Sequence, residues 1–88
     1  MQQPSSVQGL RVDASLDLRG KTPPECYGKT REQLARMVED QILEICVDEG
    51  EVLRTLPFGL RADGHEILIS EPMSGGVRML VRKRSLLS

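Results

Sequence analysis

The sequence predicts an α+β fold of order β-α-β-α-β-β, a two-layer sandwich in which two helices pack on one face of a four-stranded mixed sheet. The first observation behind this is that apolar residues alternate with other residues in short runs, the period of half-buried strands. The second is that two longer stretches between these runs carry apolar residues at helical spacing. The third is a turn rich in Pro and Gly between the last two runs. Helical crossovers make neighbouring strands parallel, whereas this turn predicts a hairpin.

Strand one is predicted at 12–19, where four apolar residues recur at every second position. These residues are Val12, Ala14, Leu16 and Leu18. Gly20 then marks a tight turn, because it adopts backbone angles that a residue with a Cβ resists.

Helix one is predicted at 24–38. Two prolines open it, which a helix tolerates in its first turn because those N–H groups have no intrahelical partner. The positions at helical spacing are Tyr27, Leu34 and Val38, with Thr30 and Met37 beside them. Gly28 inside this stretch costs about 1 kcal/mol relative to Ala. Two starts therefore stay open: one at Pro24, and one at Lys29 or Thr30 with Cys26 in a loop.

Strand two is predicted at 41–47 and is expected to be central, because both of its faces carry apolar residues. One face has Leu43, Ile45 and Val47, and the other has Ile42 and Cys46. Cys46 is most simply a small buried hydrophobic residue.

Helix two is predicted to begin after Asp48, because Asp48 and Glu51 have the spacing of a capping pair. Pro57 interrupts its apolar spacing, so we expect a kinked or split helix that resumes to Asp63 and stops at Gly64. Strand three follows at 65–71, a turn at 72–76, and strand four at 77–83. In strand four Val77, Met79 and Val81 are expected to face inward, and Arg78 and Arg82 outward.

The composition is that of one globular domain. The 88 residues predict a flexible tail at 1–11, a single domain at 12–84 and a short tail at 85–88. Two aromatic residues, Tyr27 and Phe58, are too few for a module that stacks nucleic-acid bases. The net charge of −1 gives no steering toward polyanions.

Neither a cofactor nor a metal is predicted. Two cysteines and one histidine fall short of the four ligands of a structural zinc site. No apolar run approaches the roughly 20 residues of a membrane span. No signal peptide is recognisable, so we expect the reducing cytoplasm, with Cys26 and Cys46 unpaired.

Three segments resemble the TusA-like (SirA-like) family of small sulfur carriers. Leu-Asp-Leu-Arg-Gly at 16–20 matches the family's Leu-Asp-x-x-Gly, which is followed after two residues by Cys-Pro-x-Pro at the start of helix one. Arg-Thr-Leu-Pro at 54–57 is similar to its Arg-x-Ile-Pro, and Gly-His-Glu-Ile at 64–67 to its Gly-His-Glu-Leu. The resemblance covers roughly 15–84 and implies the same fold.

The departure from the family pattern falls on its chemistry. Pro23 stands where the family has its cysteine, Pro24 keeps the first proline, and Cys26 replaces the second. The thiol has either moved by three residues or been lost as a catalyst.

The resemblance implies a sulfur carrier that relays persulfide sulfur through Cys26. Its donor would be a cysteine desulfurase or a rhodanese-like protein, and its acceptor a downstream relay protein, for example in tRNA thiolation or sulfur oxidation. We expect Cys26 to be exposed in the first helical turn, where free N–H groups and the helix dipole favour a thiolate. Arg19, Lys21 and Lys29 nearby are expected to favour it further.

Two alternatives stay open. One is a catalytically degenerate family member that binds a partner protein through the same face. The other is a nucleic-acid-binding or regulatory module that uses the basic end of the chain, although a solvated edge is the simpler interpretation of these residues. They are Arg78, Arg82, Lys83 and Arg84. His65 is interpreted as a structural hydrogen-bonding residue between helix two and strand three, and Arg54 as a surface or helix-packing residue.

Overall fold

The predicted order of elements is confirmed in a computed structural model, which describes residues 11–85. The strands are β1 (Ala14–Asp17), β2 (Ile42–Val47), β3 (Glu66–Met73) and β4 (Gly76–Arg82); the helices are α1 (Pro23–Ala35) and α2 (Glu51–Ala62). The expected tail at 1–11, except residue 11, lies outside the described residues, as do residues 86–88 of the expected C-terminal tail.

The four strands form one mixed sheet of order β1-β2-β4-β3. β1 and β2 are parallel, as the helical crossover predicts, and β3 and β4 form the antiparallel hairpin. β2 pairs with β4 from Ile42 opposite Arg82 to Val47 opposite Val77, so the expected central position of β2 is confirmed.

The core lies between the sheet and the helices. The predicted inward face of β2 is fully buried, and so is that of β4 apart from a trace of exposure at Val77. α2 covers this surface with buried residues one turn apart, Val52, Leu56 and Leu60. Burying side chains of this size contributes about 1.5–3 kcal/mol each.

The predicted core face of α1 is confirmed at Thr30, Leu34 and Met37 and is wrong at Tyr27 and Val38. Its buried residues are Cys26, Thr30 and Leu34, which recur every fourth residue and so share one side of the helix. Tyr27 is only half-buried, and Val38 lies beyond the helix with 65% of its surface exposed. The helix begins at Pro23 and continues through Gly28, so the alternative of a late start is wrong.

α2 also differs from the prediction at two points. Its N-cap is Gly50, and no side chain caps the helix. Asp48, the predicted cap, accepts a hydrogen bond from the backbone N–H of Gly20 instead. Pro57 lies inside one continuous helix, and the expected split is wrong. The predicted stop is confirmed, since Gly64 has a φ of +97°.

The hairpin strands are shifted from their predicted bounds. β3 runs to Met73, so its last residues pair with β4 and the turn shortens to Ser74 and Gly75. A register shift interrupts β3 between Ile67 and Ile69. Among the described residues, neither helix has the length and apolarity to cross a membrane.

Candidate functional site

The start of α1 is fixed by a capping box. The Thr22 hydroxyl accepts a hydrogen bond from the Glu25 N–H at 3.3 Å, and the Thr22 N–H donates to the Glu25 carboxylate at 3.1 Å. Each bond satisfies a donor that would otherwise lack a partner at the helix end. Pro23 and Pro24 then occupy the first two helical positions, as expected for residues without an N–H.

The turn before α1 is tied to the end of β2. Gly20 has a φ of +83°, which favours glycine, and its N–H donates to the Asp48 carboxylate at 2.6 Å. The Lys21 N–H donates to the Leu18 carbonyl at 3.2 Å. The chain is therefore held closely on both sides of the point where α1 begins.

Cys26 lies inside the protein, with 1% of its surface exposed. Its Sγ is 3.6 Å from the Leu18 carbonyl oxygen and 3.8 Å from that of Lys21. The expectation of an exposed thiol at the tip of α1 is wrong. The reason is the phase of the helix, which places Cys26 one turn before Thr30 on the side that packs against the sheet.

The electrostatic environment of Cys26 does not favour a thiolate. Burial raises the pKa of the Cys26 thiol, and the carboxylates of Asp48 and Glu25 raise it further, outweighing the opposite effect of Lys21. The expected activation by nearby cations is therefore wrong. The thiol at this position behaves as a small buried side chain with a weak S–H donor.

Arg19 is engaged away from the thiol. Its guanidinium donates two hydrogen bonds to Asp17, at 2.9 and 2.8 Å, and lies 3.5 Å from the Ser74 carbonyl oxygen. This pairing lowers the pKa of Asp17 to about 2. Gly75 and Gly76 lie against the Arg19 side chain. A Cβ on Gly76 would collide with the Val47 carbonyl oxygen. Arg19 thus links β1 to the hairpin turn.

A groove opens beside the position where the family has its cysteine. It has a volume of about 580 Å³ and lies between the start of α1 and the outer side of α2. Its lining is mostly apolar and includes Pro23, Pro24, Tyr27 and Phe58, with Arg54 at its edge. Phe58 is 76% exposed and lies next to the rest of the apolar lining of the groove, so the two form a continuous apolar surface of the kind found at interaction sites.

Close contact between the helices forms the floor of this groove. A Cβ on Gly59 would lie 2.8 Å from the ring of Tyr27, so only glycine fits at that distance. The Tyr27 hydroxyl donates to Asp63 at 2.7 Å, and Arg31 lies over the same ring while pairing with Asp63 at 3.4 Å. These contacts fix α1 against α2.

Cys46 lies on the opposite face of the sheet from the helices and is half-buried. It pairs in register with Asp17 on β1 and with Arg78 on β4. Burial raises the pKa of the Cys46 thiol, and the nearby carboxylates of Glu44 and Asp17 raise it further. The interpretation of Cys46 as a buried hydrophobic residue thus holds only in part.

Three of the four basic residues in and after β4 are paired with carboxylates. Arg78 pairs with Glu44 and with Glu71, the latter at 2.8 Å; Arg82 and Arg84 pair with Glu66. The Lys83 ammonium donates to the Leu34 carbonyl at the end of α1 at 2.6 Å. An electropositive docking patch therefore has little basis here, and the solvated, ion-paired edge is the better interpretation.

His65 has a structural role, and the expected hydrogen bond to α2 is present, because its backbone N–H donates to the Leu60 carbonyl at 3.0 Å. Its Nδ1 accepts a hydrogen bond from the Arg84 N–H at 3.0 Å, which ties the segment after β4 to the end of α2. Burial lowers the pKa of the imidazole. Within residues 11–85, no three His, Cys, Asp or Glu side chains are grouped so as to hold a metal ion.

Two features of this region were not predicted from the sequence. The burial of Cys26 has a sequence signal, since Cys26, Thr30, Leu34 and Met37 are spaced four, four and three residues apart. The groove has a weaker sequence signal. Phe58 directly follows Pro57 in α2, and this by itself does not indicate that the ring is exposed.

Comparisons with known proteins assign the chain to a family. The family model described as "Sulfurtransferase TusA" matches residues 14–83, which is most of the chain. The chain therefore belongs to the TusA sulfurtransferase family. It is also similar to an Archaeoglobus fulgidus protein named "Putative sulfur carrier protein", with 29% identity over 62 residues, or 70% of each chain. These findings support a sulfur-carrier role in general.

Proposed function

We propose that this chain serves sulfur transfer as a docking module, binding a sulfur-transfer partner at the face around Pro23 without carrying sulfur on its own thiol in the folded state. The observation that supports this most strongly is the combination of Pro23 at the family's cysteine position with a Cys26 that is 1% exposed. A persulfide carrier needs an accessible thiolate, and Cys26 has neither the access nor a lowered pKa.

The proposed partners follow from the family. A cysteine desulfurase or a rhodanese-like donor would dock on the surface that includes Pro23, and a relay protein would receive the sulfur. The capping box and the Gly20–Asp48 hydrogen bond keep this surface in place, so docking needs no rearrangement of the turn.

Sulfur loading measured by intact mass tests the absence of carriage. The wild-type protein is incubated with a cysteine desulfurase and cysteine, and a persulfide adds roughly 32 Da. We expect no adduct while the domain stays folded. An adduct that persists in Cys46→Ser and disappears in Cys26→Ser would contradict the proposal.

Restoring the family's cysteine tests the docking itself. In a background with Cys26→Ser and Cys46→Ser, the substitution Pro23→Cys is expected to produce a thiol that accepts sulfur from the desulfurase. Glu32→Cys, at an exposed position further along α1, is the matched control and should accept far less. Equal loading of the two variants would show that no donor recognises this face.

A second candidate is relay through Cys26 itself, in which the first turn of α1 opens. The observation that favours it is that Cys26 lies in this turn, where its sulfur contacts the carbonyl groups of Leu18 and Lys21 in an otherwise exposed connection. The Cys26 thiolate would attack the outer sulfur of the donor persulfide and form a new S–S bond, and the donor thiolate would leave with the electron pair. The loading experiment distinguishes the two candidates.

A further inference from the structure

One exposed stripe of α2 carries both charges and an aromatic ring. At about 100° per residue, the positions of Glu51, Arg54, Phe58 and Arg61 fall within about 80° of arc on the helix. All four side chains are exposed, and Phe58 is the most exposed large hydrophobic residue in the described part of the chain. This stripe borders the groove beside Pro23.

The charges of this stripe lack partners within the protein. Among residues 11–85, none forms an ion pair or side-chain hydrogen bond with the side chains of Glu51, Arg54 or Arg61. On the opposite face of the sheet, by contrast, Arg78 and Arg82 are each paired with a carboxylate. An unpaired acid at one end, an unpaired base at the other and an aromatic ring beside a second arginine form a self-complementary pattern.

We infer that a second copy of this chain packs on the stripe, with the two α2 helices antiparallel about a twofold axis that crosses the stripe at the height of Leu56, whose own side chain is buried on the other side of the helix. In such an isologous contact each pairing occurs twice. Glu51 then faces Arg61 of the second copy, because both lie five residues from the axis. Phe58 faces Arg54 of the second copy, an arrangement in which a guanidinium stacks on an aromatic ring.

The groove provides room for this contact. Arg54 and Phe58 both line it, together with the apolar residues Pro23, Pro24 and Tyr27, so the stripe and the groove form one continuous surface. Packing there removes Phe58 from water on both copies. The pairing thus satisfies charge complementarity and covers the exposed aromatic surface together.

The dimer is expected to be weak. α2 has 12 residues and is about 18 Å long, so one helix face and a groove give an interface at the small end of the known range. Dimerisation would cover Pro23 and compete with the docking proposed above. It does not depend on that proposal, and a monomeric protein would leave the sulfur-loading predictions unchanged.

Charge reversal tests both the dimer and its register. Sedimentation equilibrium of the wild-type protein from about 10 µM to about 1 mM spans the expected range for a weak dimer. We expect a dimer at the upper end. Glu51→Arg alone and Arg61→Glu alone each place like charges together and should lower the association at least tenfold. The double variant should restore it, and an equimolar mixture of the two single variants should form heterodimers.

The aromatic contact has a matched control. Phe58→Ala should abolish the dimer, whereas Val38→Ala, which removes another exposed hydrophobic side chain, should leave it unchanged. A wild-type protein that stays monomeric throughout the concentration range would overturn the inference, and the stripe would then be a candidate binding surface for a different protein. A dimer that persists in the single charge reversals, or is not restored in the double variant, would overturn it as well.

Discussion

The two cysteines lie on opposite faces of the sheet, and the one expected to be exposed is the more deeply buried of the two. Cys26, at the start of α1, was predicted to be open to solvent and is sealed beneath the helix. Cys46, near the end of the central strand β2, is expected to be buried but keeps part of its surface exposed, on the face opposite the two helices that the structure describes.

This difference shows what controls access to a thiol in this fold. Position at a helix N-terminus supplies favourable N–H groups, but the side on which the residue falls decides whether solvent reaches it. Cys26 shares its side with Thr30 and Leu34, so its sulfur belongs to the core. On the face of the sheet opposite the helices, exposure varies from residue to residue: Cys46 keeps part of its surface exposed, whereas Leu80 on the same face is buried.

Truncating each cysteine to alanine should give the largest difference in the free energy of unfolding. Cys26→Ala should lower the free energy of unfolding by about 1–2 kcal/mol, because it leaves a cavity in a packed core. Cys46→Ala should change it by less than about 0.5 kcal/mol, as for most substitutions of partly exposed residues. Urea unfolding of both variants measures the two values, and equal losses would contradict the assigned burial.

Removing the cap should release Cys26 selectively. Thr22→Ala is expected to cost about 1 kcal/mol and to raise the population of an opened first turn about fivefold. Alkylation of Cys26 should accelerate accordingly, while that of Cys46 should not. Thr55→Ala, at an exposed position within α2, is the matched control. An unchanged rate at Cys26 in Thr22→Ala would mean that the cap does not control access.

Acid should lower the free energy of unfolding by protonating Glu44, which lies on the sheet face opposite the helices. The hydrogen bond from Arg78 lowers the pKa of Glu44, so the unfolded chain binds this proton more readily than the folded one. The stabilisation is therefore present above the unfolded pKa of about 4.3 and is lost as the pH falls through the folded value.

The expected size of this effect is below about 1 kcal/mol, since the pair is only partly buried. Urea unfolding of Arg78→Gln at about pH 6 and about pH 3 should show a smaller acid-induced loss than the wild-type protein. Arg36→Gln, at an exposed position in the loop after α1, should keep the wild-type loss. If Arg78→Gln lost as much stability in acid as the wild type, the lowered pKa of Glu44 would have another cause.

Much of the fold followed from the sequence because strand burial leaves a direct pattern. The alternation of Leu43, Ile45 and Val47, and of Val77, Met79 and Val81, gave the correct inward faces. Helix ends were harder. Asp48 lies at a capping distance from Glu51, but it bonds the distant Gly20, which no local pattern shows.

The candidate site was predicted less well because the core face of α1 was placed slightly off its true position. Tyr27 and Val38 are larger hydrophobic residues than Cys26, yet it is Cys26 that lies in line with Thr30 and Leu34 and is buried with them. Likewise, Pro57 did not split α2, because Val52, Leu56 and Leu60 stay on one buried side when the helix is continuous. Packing outweighed the local preference of a single residue in both helices.

The most direct measurement of the central claim is alkylation of the folded protein by iodoacetamide, followed by mapping of the modified peptides. Because Cys26 is buried and Cys46 is partly exposed, we expect Cys46 to be modified first and Cys26 to stay unmodified until urea unfolds the domain. Modification of Cys26 as fast as that of Cys46, with the circular dichroism of the native fold retained, would contradict it.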